Sequence, residues 1–564
     1  MNSENLIAAI NAQCPGALLS SEQPNPHRLF LTVNCEKMPE VADYLFNTAR
    51  ARLILSAGTD KSPINGTYEV NYIYSLDRDN LLVAVKEIVD PANPRVPSIT
   101  NIIPAADWHE REFRDLMGIV PEGHPDPRRL VVSDDWPEDV YPLRKDVPYN
   151  FKPPRVTEIK PPMREPKEHE KNATILSIGP FFPTLEEQAY FRLFVEGEQI
   201  IGSDYRGFYA HRGIEKLTET VLDYNQVPFI AERICGICGF VHSATYCMAV
   251  ESACGIEIPP RAKYIRSIML ELERVHSHLL WTGLAAHYLG FDTVLMQAWR
   301  IREPVMWLTE QITGNRKTYG MNLVGGVRRD IDAETVEKIL KTLEKIEQET
   351  RELISAAVED NSLKMRLEKV GVLSKEDARK YCVVGPTARA SGVAIDARQD
   401  HPYLAYPDLE FKPAVQEGCD IWARTLVRAE ETFTAISLIR QMIAKMPAGE
   451  LMANVGPIPA WKEGIAAVEA PRGECCHYVI TGPDNRPYRW RVRASTYPQL
   501  QSIPRMLENM SVADFPIIVG SIDPCFSCTE RVITVDTRSN KVRTYTKEEL
   551  LAMSQRKSGQ GKCS

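Results

Sequence analysis

The sequence predicts two folded parts: an N-terminal α+β domain and a larger, mainly α-helical domain that contains small β elements. Short apolar runs separated by turn residues occupy about the first 145 residues, as expected of strands. From about residue 173 onward, apolar residues recur at spacings of three and four over long segments, the pattern of amphipathic helices. The stretch between the two parts is rich in proline and charge and too poor in apolar residues to form a core.

The N-terminal domain is predicted to span residues 1–146 and to contain an antiparallel sheet. Its strands are expected in the segments LFLTVN, ARLILSAG, YEVNYIYSL and LLVAVKEIV, where apolar and β-branched residues are grouped between turn-forming residues. Residues 147–172 are predicted to be a linker.

The second domain is predicted to span residues 173–531 and to be built around a helix bundle. Long helices are expected at 262–290, 333–361 and 414–446, and a further helix in the segment ATYCMAVESAC. The apolar segment DFPIIVGSIDPC is interpreted as a buried strand leading into a turn. Residues 532–564 are predicted to be a polar C-terminal extension.

The composition is that of an ordinary soluble, acidic protein. The 564 residues carry a formal net charge of -8, with 44% hydrophobic and 25% charged residues. This balance argues against nucleic acid as a partner, because binding phosphates requires a basic face. The N-terminus lacks the basic and apolar regions of a signal peptide, and no run of about 18 apolar residues occurs. We therefore expect a cytoplasmic chain that reaches a membrane only through a partner.

Two cysteine pairs are candidates for a metal site. ERICGICGFVH contains Cys235 and Cys238, and DPCFSC contains Cys525 and Cys528. The pairs are separated by 286 residues, whereas zinc ribbons join their halves over roughly 15 to 20 residues. A site closed over such a distance would organise the whole domain. The spacing alone leaves open a four-cysteine zinc site, a redox-active soft metal or a redox disulfide.

Other polar residues have both an ordinary and a functional interpretation. His242 follows Cys238 by four positions and is either a core histidine or a neighbour of the metal site. Arg472, between a proline and a glycine in EAPRGECCH, is either solvated or positioned over an anionic centre. Glu196, in the apolar segment FVEGEQI, is either a surface carboxylate or a buried proton carrier with a raised pKa. A further pair, His276 and His278, lies two apart on a helix, so the rings cannot share one ion and are interpreted as packing or interface residues.

Several motifs together resemble one family. They are FYAHRGIEKL, ERICGICGFVH, HSHLLW, TGNRKTYGMNLVGGVRRD, EAPRG, RWRVRA and GSIDPCFSC in the second domain, and EREFRDLMGI, GHPDPRRL, DDWP and PLRKDVP in the first. The second domain resembles the NiFe-hydrogenase large subunit and the 49 kDa subunit of complex I, and the first resembles the 30 kDa subunit of complex I. This order is similar to that of the membrane-associated, complex-I-like (group 4) hydrogenases, of which formate hydrogenlyase is representative.

The resemblance implies a Ni-Fe centre whose iron also binds CO and cyanide. Complex I uses the equivalent cavity for quinone and lacks the two cysteine pairs, all of which are present here. By analogy, Cys235 and Cys525 are terminal ligands of nickel, whereas Cys238 and Cys528 bridge nickel and iron. The resemblance also implies that Glu196 is a proton relay, that Arg472 lies above the open position of the centre and that His242 donates a hydrogen bond to a bridging sulfur. The pocket for the diatomic ligands is implied to consist of Pro471, Arg472, Ser495 and Thr496.

Two departures from the family pattern are visible. Where many soluble hydrogenases have EGH, this chain has Glu196-Gly197-Glu198, so Glu198 is a second candidate for the relay. No aspartate can be placed beside the arginine from sequence, and Asp292 is only a guess.

The resemblance also implies partners. Electrons are expected to leave through a small subunit with a 4Fe-4S cluster and a ferredoxin-like subunit, and complex-I-like membrane subunits and a formate dehydrogenase complete the complex. The chain is then peripheral, on the cytoplasmic face of the inner membrane. A maturation endopeptidase is expected to cut after Arg531. The alternative is a quinone-module or scaffold subunit, not a hydrogenase, in which the four cysteines hold structural zinc.

Overall fold

The computed structural model describes residues 2–133, 136–152, 163–179, 181–182, 187–208, 211–526, 534–536 and 541–543. Cys528, Arg531, residues 153–162 of the linker and most of the C-terminal extension lie outside the described residues.

The N-terminal part is a mixed five-stranded sheet covered by helices. Its elements are α1 Ser3–Gln13, β1 Leu18–Asn25, β2 Arg28–Val33, α2 Met38–Asp43, a π-helical turn Tyr44–Thr48, β3 Arg52–Asp60, α3 Ser62–Asn65, β4 Tyr68–Leu76, β5 Leu81–Val89, β6 Arg95–Pro97, α4 Ala106–Met117 and β7 Val120–Glu122. The strand order is β1-β2-β5-β4-β3. All nine residues of β4 are buried, which explains why this segment is apolar and aromatic rather than strictly alternating.

The four predicted strands are present, but the sheet is not wholly antiparallel. Strand β5 pairs antiparallel with β4 and parallel with β2. A parallel pair requires a long crossover, and the segment from α2 to β4 provides it. The expectation of an antiparallel sheet is therefore wrong for this one pair.

The second part is mainly helical, with short sheets around the bundle. Its elements are β8 Thr174–Ile178, β9 Phe181–Phe182, β10 Glu187–Gln188, β11 Tyr190–Glu196, β12 Gln199–Arg206, α5 Ile214–Thr220, α6 Val227–Ala231, α7 Gly239–Cys254, α8 Pro260–Tyr288, α9 Asp292–Thr313, β13 Asn322–Leu323, β14 Gly326–Val327, α10 Ala333–Glu359, α11 Asn361–Leu367, α12 Lys375–Lys380, α13 Gly385–Arg389, α14 Ala397–Asp400, α15 Ile421–Lys445, β15 Glu463–Ala470, β16 Gly473–Thr481, β17 Pro487–Arg493, α16 Thr496–Leu507, α17 Phe515–Ser521, β18 Thr534–Asp536 and β19 Lys541–Arg543.

Helix α8 forms the centre of the bundle. It packs against α9 and α15, and α10 packs against the same two helices. Every residue from 264 to 279 is buried, as expected of a helix surrounded by protein. The predicted helices α7, α8 and α10 are confirmed, and α15 begins seven residues later than expected, at Ile421. No helix in the described ranges combines the length and the apolar character that crossing a bilayer requires.

Several helices are not predicted from the sequence. They include α1, α4, α9 and α16, and α9 contains Pro304. The segment interpreted as a buried strand, DFPIIVGS, forms the short helix α17 instead. A short buried apolar run fits either structure, and Pro516 at the first turn favours the helix because its missing N–H and fixed φ suit that position.

An arginine ladder joins the two parts of the chain. Strand β3 is the edge of the N-terminal sheet, so alternate carbonyl groups along it have no strand partner. Three guanidinium groups from every second residue of β17 donate to these carbonyls at 2.7 to 2.9 Å: Arg493 to Ile54, Arg491 to Ser56 and Arg489 to Gly58. Apolar residues of β3 and β16 also share one core cluster. The arginines of the motif RWRVRA thus connect the second part of the chain to the N-terminal sheet. The domain boundaries at residues 146 and 172 stay predictions.

Candidate metal centre

Cys235 and Cys238 lie in the loop between α6 and α7, and Cys238 directly precedes α7. Their sulfurs are 2.9 Å apart, and the backbone N–H groups of Ile237 and Cys238 lie 3.4 and 3.1 Å from Cys235 Sγ. The loop backbone therefore directs two N–H groups toward the Cys235 sulfur.

Cys525 reaches the same pocket from the far end of the chain, four residues after α17 ends at Ser521. Its Sγ lies 3.2 Å from Cys235 Sγ. Its backbone N–H donates to Thr496 Oγ1 at 3.2 Å. The three thiols are at most 4% exposed and are not in disulfides. The structure thus brings Cys525 to Cys235 as the sequence predicted, while Cys528 lies outside the described residues.

This donor set fits a soft transition metal. Three thiols from two distant segments converge in a pocket that excludes water, and thiolates select metals such as nickel, iron and zinc. Hard cations such as magnesium need oxygen ligands instead. That these residues hold a metal remains a prediction, and their chemistry supports it.

Arg472 lies at the tip of the hairpin formed by β15 and β16, where Ala470 pairs with Gly473. Gly473 has a φ of +118°, and a Cβ there would lie 2.6 Å from Gly385 N, so only glycine closes this turn. Arg472 is 1% exposed. A guanidinium buried this deeply requires compensating partners.

The partner of Arg472 is Asp523. Arg472 Nε donates to the Asp523 carbonyl at 2.6 Å, Nη2 donates to Asp523 Oδ1 at 2.8 Å, and Nη1 donates to Ser277 Oγ at 3.3 Å. Burial lowers the pKa of Arg472, but Asp523 and then the three thiols raise it well above its usual value. The guanidinium is therefore a fixed positive charge close to the sulfurs.

Asp292 does not take part in this site, so the guess that placed it there is wrong. It is exposed at the start of α9 and its Oδ1 lies 2.6 Å from His287 Nδ1. Asp523 stands two positions before Cys525 in the turn after α17, and it was missed because the segment was interpreted as a strand. Its place in DPCFSC was the available signal.

The residues predicted to line the diatomic-ligand pocket are buried. Pro471 shares the hairpin tip with Arg472, and Ser495 and Thr496 stand at the start of α16 at 3% and 1% exposure. Thr496 contacts the Cys525 backbone, as described above.

Glu196 is not the buried carboxylate that was expected. It is the last residue of β11 and is exposed in the tight turn to β12, with Gly197 and the exposed Glu198. The expectation that Glu196 is buried is therefore wrong. No contact between these two carboxylates and the thiols occurs within the described ranges, and the relay role of Glu196 stays a prediction.

Two other carboxyl groups beside the cysteine loop are buried. Glu232 Oε1 accepts from the Gly320 N–H at 2.8 Å, and Oε2 accepts from Arg233 at 2.9 Å. Glu273 accepts from the N–H groups of Phe240 and Val241, at 3.0 and 3.1 Å. Burial raises the pKa of each to about 7, against the lowering effect of these donors. Glu232 was present in the motif ERICGIC but was not singled out.

His242 is buried on α7 and lies within a small cluster of nitrogen and sulfur atoms. Its Nδ1 is 3.2 Å from His477 Nε2 and 3.6 Å from Cys475 Sγ. Trp490 Nε1 donates to His477 Nδ1 at 3.3 Å. Cys475 and His477 stood in EAPRGECCH and were missed, since nothing in a strand pattern shows that alternate residues face a histidine on another element.

The other histidine pair packs inside the bundle. His278 Nε2 lies 2.9 Å from Glu431 Oε2, and His276 accepts from Arg302 at 3.2 Å. Both rings are 1% exposed. They have different partners inside the bundle, as expected of packing residues.

Three family descriptions match successive parts of the chain. Residues 31–153 match the respiratory-chain NADH dehydrogenase 30 Kd subunit, and residues 212–288 match nickel-dependent hydrogenase. Residues 288–459 and 455–531 match the respiratory-chain NADH dehydrogenase 49 Kd subunit. The nickel-dependent match contains the first cysteine pair.

Two curated relatives from Escherichia coli (strain K12) match nearly the whole chain. Formate hydrogenlyase subunit 5 is 41% identical over 97% of this chain and 96% of its own length, and Hydrogenase-4 component G is 41% identical over the same shares. The chain belongs to the hydrogenases of the formate hydrogenlyase type. Its predicted fold, complex I 30 kDa-like and 49 kDa-like, is thereby confirmed.

A solved structure is also similar to this hydrogenase. It is described as the membrane-bound sulfane sulfur reductase, an archaeal respiratory membrane complex, and one of its chains is 31% identical with a TM-score of 0.61. The match covers 64% of this hydrogenase and 99% of that chain. Relatives of this hydrogenase are therefore parts of multisubunit complexes, including a membrane complex. The same fold serves different chemistry in these relatives, so the residues of the site have to decide the function.

Proposed function

We propose that this hydrogenase is the catalytic subunit of a membrane-associated complex that interconverts H2 with two protons and two electrons at a Ni-Fe centre. Its physiological direction is hydrogen evolution with electrons from formate, oxidised by partner subunits. The observation that carries this proposal is the convergence of three buried thiols from two distant segments of the chain, close to an arginine paired with an aspartate. A scaffold subunit has no need for a buried fixed charge beside its cysteines.

The residues that would hold the centre are the four cysteines of the two pairs. By family resemblance, Cys235 and Cys525 would hold nickel, and Cys238 and Cys528 would be shared between nickel and iron. The CO and cyanide ligands of iron would lie in the pocket of Pro471, Arg472, Ser495 and Thr496. When bound, the centre supplies the redox chemistry that joins electrons to protons in H2.

The protein contributes a dry pocket, a fixed charge and a proton acceptor. Asp523 holds the Arg472 guanidinium in one orientation through two hydrogen bonds, so the positive charge needs no reorganisation during the reaction. Cys525 Sγ is the atom that holds a proton as H2 is split or formed. The buried pocket keeps other proton donors and water away from this atom.

Protons need a route between the thiols and the surface. Family resemblance assigns it to Glu196 or Glu198, but both are exposed on a hairpin tip. We infer that Glu232 is the inner carrier. One oxygen contacts Arg233, whose side chain is 51% exposed, and the other contacts Gly320, whose neighbour Tyr319 donates to the Cys235 carbonyl at 2.9 Å. A carboxyl group with a pKa of about 7 can both take and release protons near neutral pH.

Electrons need partner subunits. We propose a small subunit with a 4Fe-4S cluster, a ferredoxin-like electron-transfer subunit, complex-I-like membrane subunits and a formate dehydrogenase, with no role for nucleic acid. The hydrogenase would then be held peripherally on the cytoplasmic face of the inner membrane. The relatives named above, which are subunits of complexes, support such an assembly.

Metal analysis and infrared spectroscopy of the purified complex test the proposal. About one nickel and one iron per chain, beyond the iron of clusters, with infrared bands of CO and cyanide, are the expected result. One zinc per chain and no such bands would instead support a structural site in a quinone-module or scaffold subunit. Hydrogen production with formate and with reduced ferredoxin then identifies the electron donor.

The C-terminal extension has a separate test. We propose that an endopeptidase removes residues 532–564 after nickel insertion by cleaving after Arg531. Intact-mass measurement of the mature chain should show the loss of this segment, and a full-length mass in nickel-loaded protein would refute cleavage.

A further inference from the structure

Three buried ring groups form a hydrogen-bonded column that ends on α7, the helix that follows Cys238. Trp490 Nε1 lies 3.3 Å from His477 Nδ1, and His477 Nε2 lies 3.2 Å from His242 Nδ1. None of the three side chains is more than 1% exposed. Water therefore does not compete for these nitrogen atoms, and their protons must be ordered by the column itself.

The indole fixes the direction of the column. Trp490 Nε1 can only donate, so His477 Nδ1 must be the acceptor, and a neutral His477 carries its proton on Nε2. That proton is donated to His242 Nδ1. Burial, helped by the positive charges of Arg493 and Arg491, lowers the pKa of His477 well below its usual value, which agrees with a neutral ring. His242 Nδ1 is thus an acceptor, and its own proton is on Nε2.

We propose that His477 and Trp490 are positioning residues that hold His242 in the tautomer protonated at Nε2. His242 lies one helical turn after Cys238, and helical side chains lean toward the N-terminus of their helix. With Nδ1 occupied, Nε2–H is the donor that remains for the sulfur at that end of α7. This step deepens the proposed function and rests on it, because the sulfur matters only if it binds the centre.

The same atoms do not suit a second metal. His242, Cys475 and His477 place their ligand atoms within 4.8 Å of one another, so the set has the size of a metal site. A metal there would need the lone pair of His477 Nε2. The His477 proton would then move to Nδ1 and face Trp490 Nε1–H, two donors with no acceptor between them. The indole therefore favours the hydrogen-bonded column over a bound ion.

Nitrogen-15 NMR of the full chain, labelled at histidine and prepared without nickel, measures the tautomer directly. Protonated and unprotonated ring nitrogens have separate shifts, and the signals of His242 are identified as those lost in His242→Gln. The expected result is Nε2–H at both His242 and His477. A wild-type His242 protonated at Nδ1 would overturn the proposal.

Three variants and one control test the cause. His477→Phe removes the donor to His242 Nδ1, and Trp490→Phe frees His477 to take either tautomer, so both should give mixed His242 signals. His477→Gln should restore the Nε2–H tautomer because an amide N–H can replace the donor. Tyr246→Phe is the control. Its ring packs on Trp490 at 5.4 Å, and its hydroxyl has no hydrogen-bond partner in the described part of the chain. An unchanged His242 in His477→Phe, or a changed one in Tyr246→Phe, would refute the assignment.

The nickel-loaded complex provides an independent reading. His477→Phe should shift the infrared bands of CO and cyanide and lower turnover by about 10-fold to 100-fold, the range for groups that orient the surroundings of a metal, and His477→Gln should recover most of both. If wild-type protein binds no nickel, the proposed function fails although the tautomer result stands. Binding of Zn²⁺ to nickel-free chain that is lost in Cys475→Ala would contradict the column itself.

Discussion

The two sides of the thiol pocket carry charge in different ways. On one side Arg472 is permanently charged and paired with Asp523. On the other side Glu273 accepts from two backbone N–H groups and Glu232 accepts from Gly320 N–H and from Arg233. Burial raises the pKa of each carboxyl group to about 7. The first side holds a constant charge through a reaction cycle, whereas the second can change its number of protons. This division suits a reaction that moves both electrons and protons.

Loss of the Cys528 thiol should have the largest effect, because the charged groups on both sides of the pocket act on the metal centre that the four cysteines are proposed to hold. Cys528→Ala is expected to abolish nickel retention and hydrogen evolution together, measured by metal analysis and gas chromatography. Cys254→Ser, at the far end of α7, is the matched control and should retain both. Activity in the Cys528→Ala protein would refute the ligand assignment.

Neutralising the buried Glu273 should change how stability depends on pH. Its folded pKa of about 7 lies above the ordinary value of 4.5, so the folded state binds the proton more tightly than the unfolded state. The contribution of Glu273 to the free energy of unfolding is fully present below pH 4.5 and is lost as pH rises through 7. The total change is about 3 kcal/mol. Unfolding of nickel-free chain from pH 5 to 8 should therefore show a flatter profile for Glu273→Gln. The exposed Glu334→Gln is the control, and an unchanged slope in Glu273→Gln would contradict the buried-acid interpretation.

A comparison of Glu232→Gln with Glu196→Gln decides which carboxylate carries protons. Glu232→Gln keeps the hydrogen bond from Gly320 but cannot release a proton, so turnover should fall about 100-fold with nickel content unchanged. Glu196→Gln, on the exposed hairpin tip, should retain turnover within about 2-fold, as for an ordinary surface change. The reverse ranking in a hydrogen-evolution assay would restore Glu196 as the relay.

Arg472 should be sensitive to a substitution that keeps its charge but changes its hydrogen-bond geometry. Arg472→Lys keeps the charge but cannot reach both Asp523 oxygens and Ser277 as the guanidinium does, so turnover should fall about 10-fold. Nickel content measured on the same samples separates this effect from misfolding. The exposed Arg351→Lys is the control, and a parallel loss of nickel in Arg472→Lys would mean that the residue is structural.

Local patterns predicted much of the fold, while features that depend on distant contacts were missed. Strands β4 and β5 and helices α8 and α10 follow from periodicity within each segment. The parallel pairing of β2 with β5 depends on a crossover that no single segment reveals. The short run at α17 is apolar in either structure, so its pattern does not distinguish a helix from a strand.

The site shows the same limit. The cysteine pairs and Arg472 were found because their residue types and spacing are unusual. Asp523 could not be paired with Arg472 without knowing the turn that follows α17. Glu196 was placed inside a strand, although Gly197 beside it was a turn signal.

The arginine ladder has a consequence for the centre of the molecule. Trp490 lies between two of its members, and alternate residues of a strand point to opposite faces. The position of β17 along strand β3 of the N-terminal sheet thus also fixes the position of the Trp490 indole relative to His477. A shift of one residue in the position of β17 against β3 would exchange the side chains on the two faces of β17. The N-terminal part of the chain, which has no proposed ligand, therefore helps to position Trp490 and, through His477, the proton of His242.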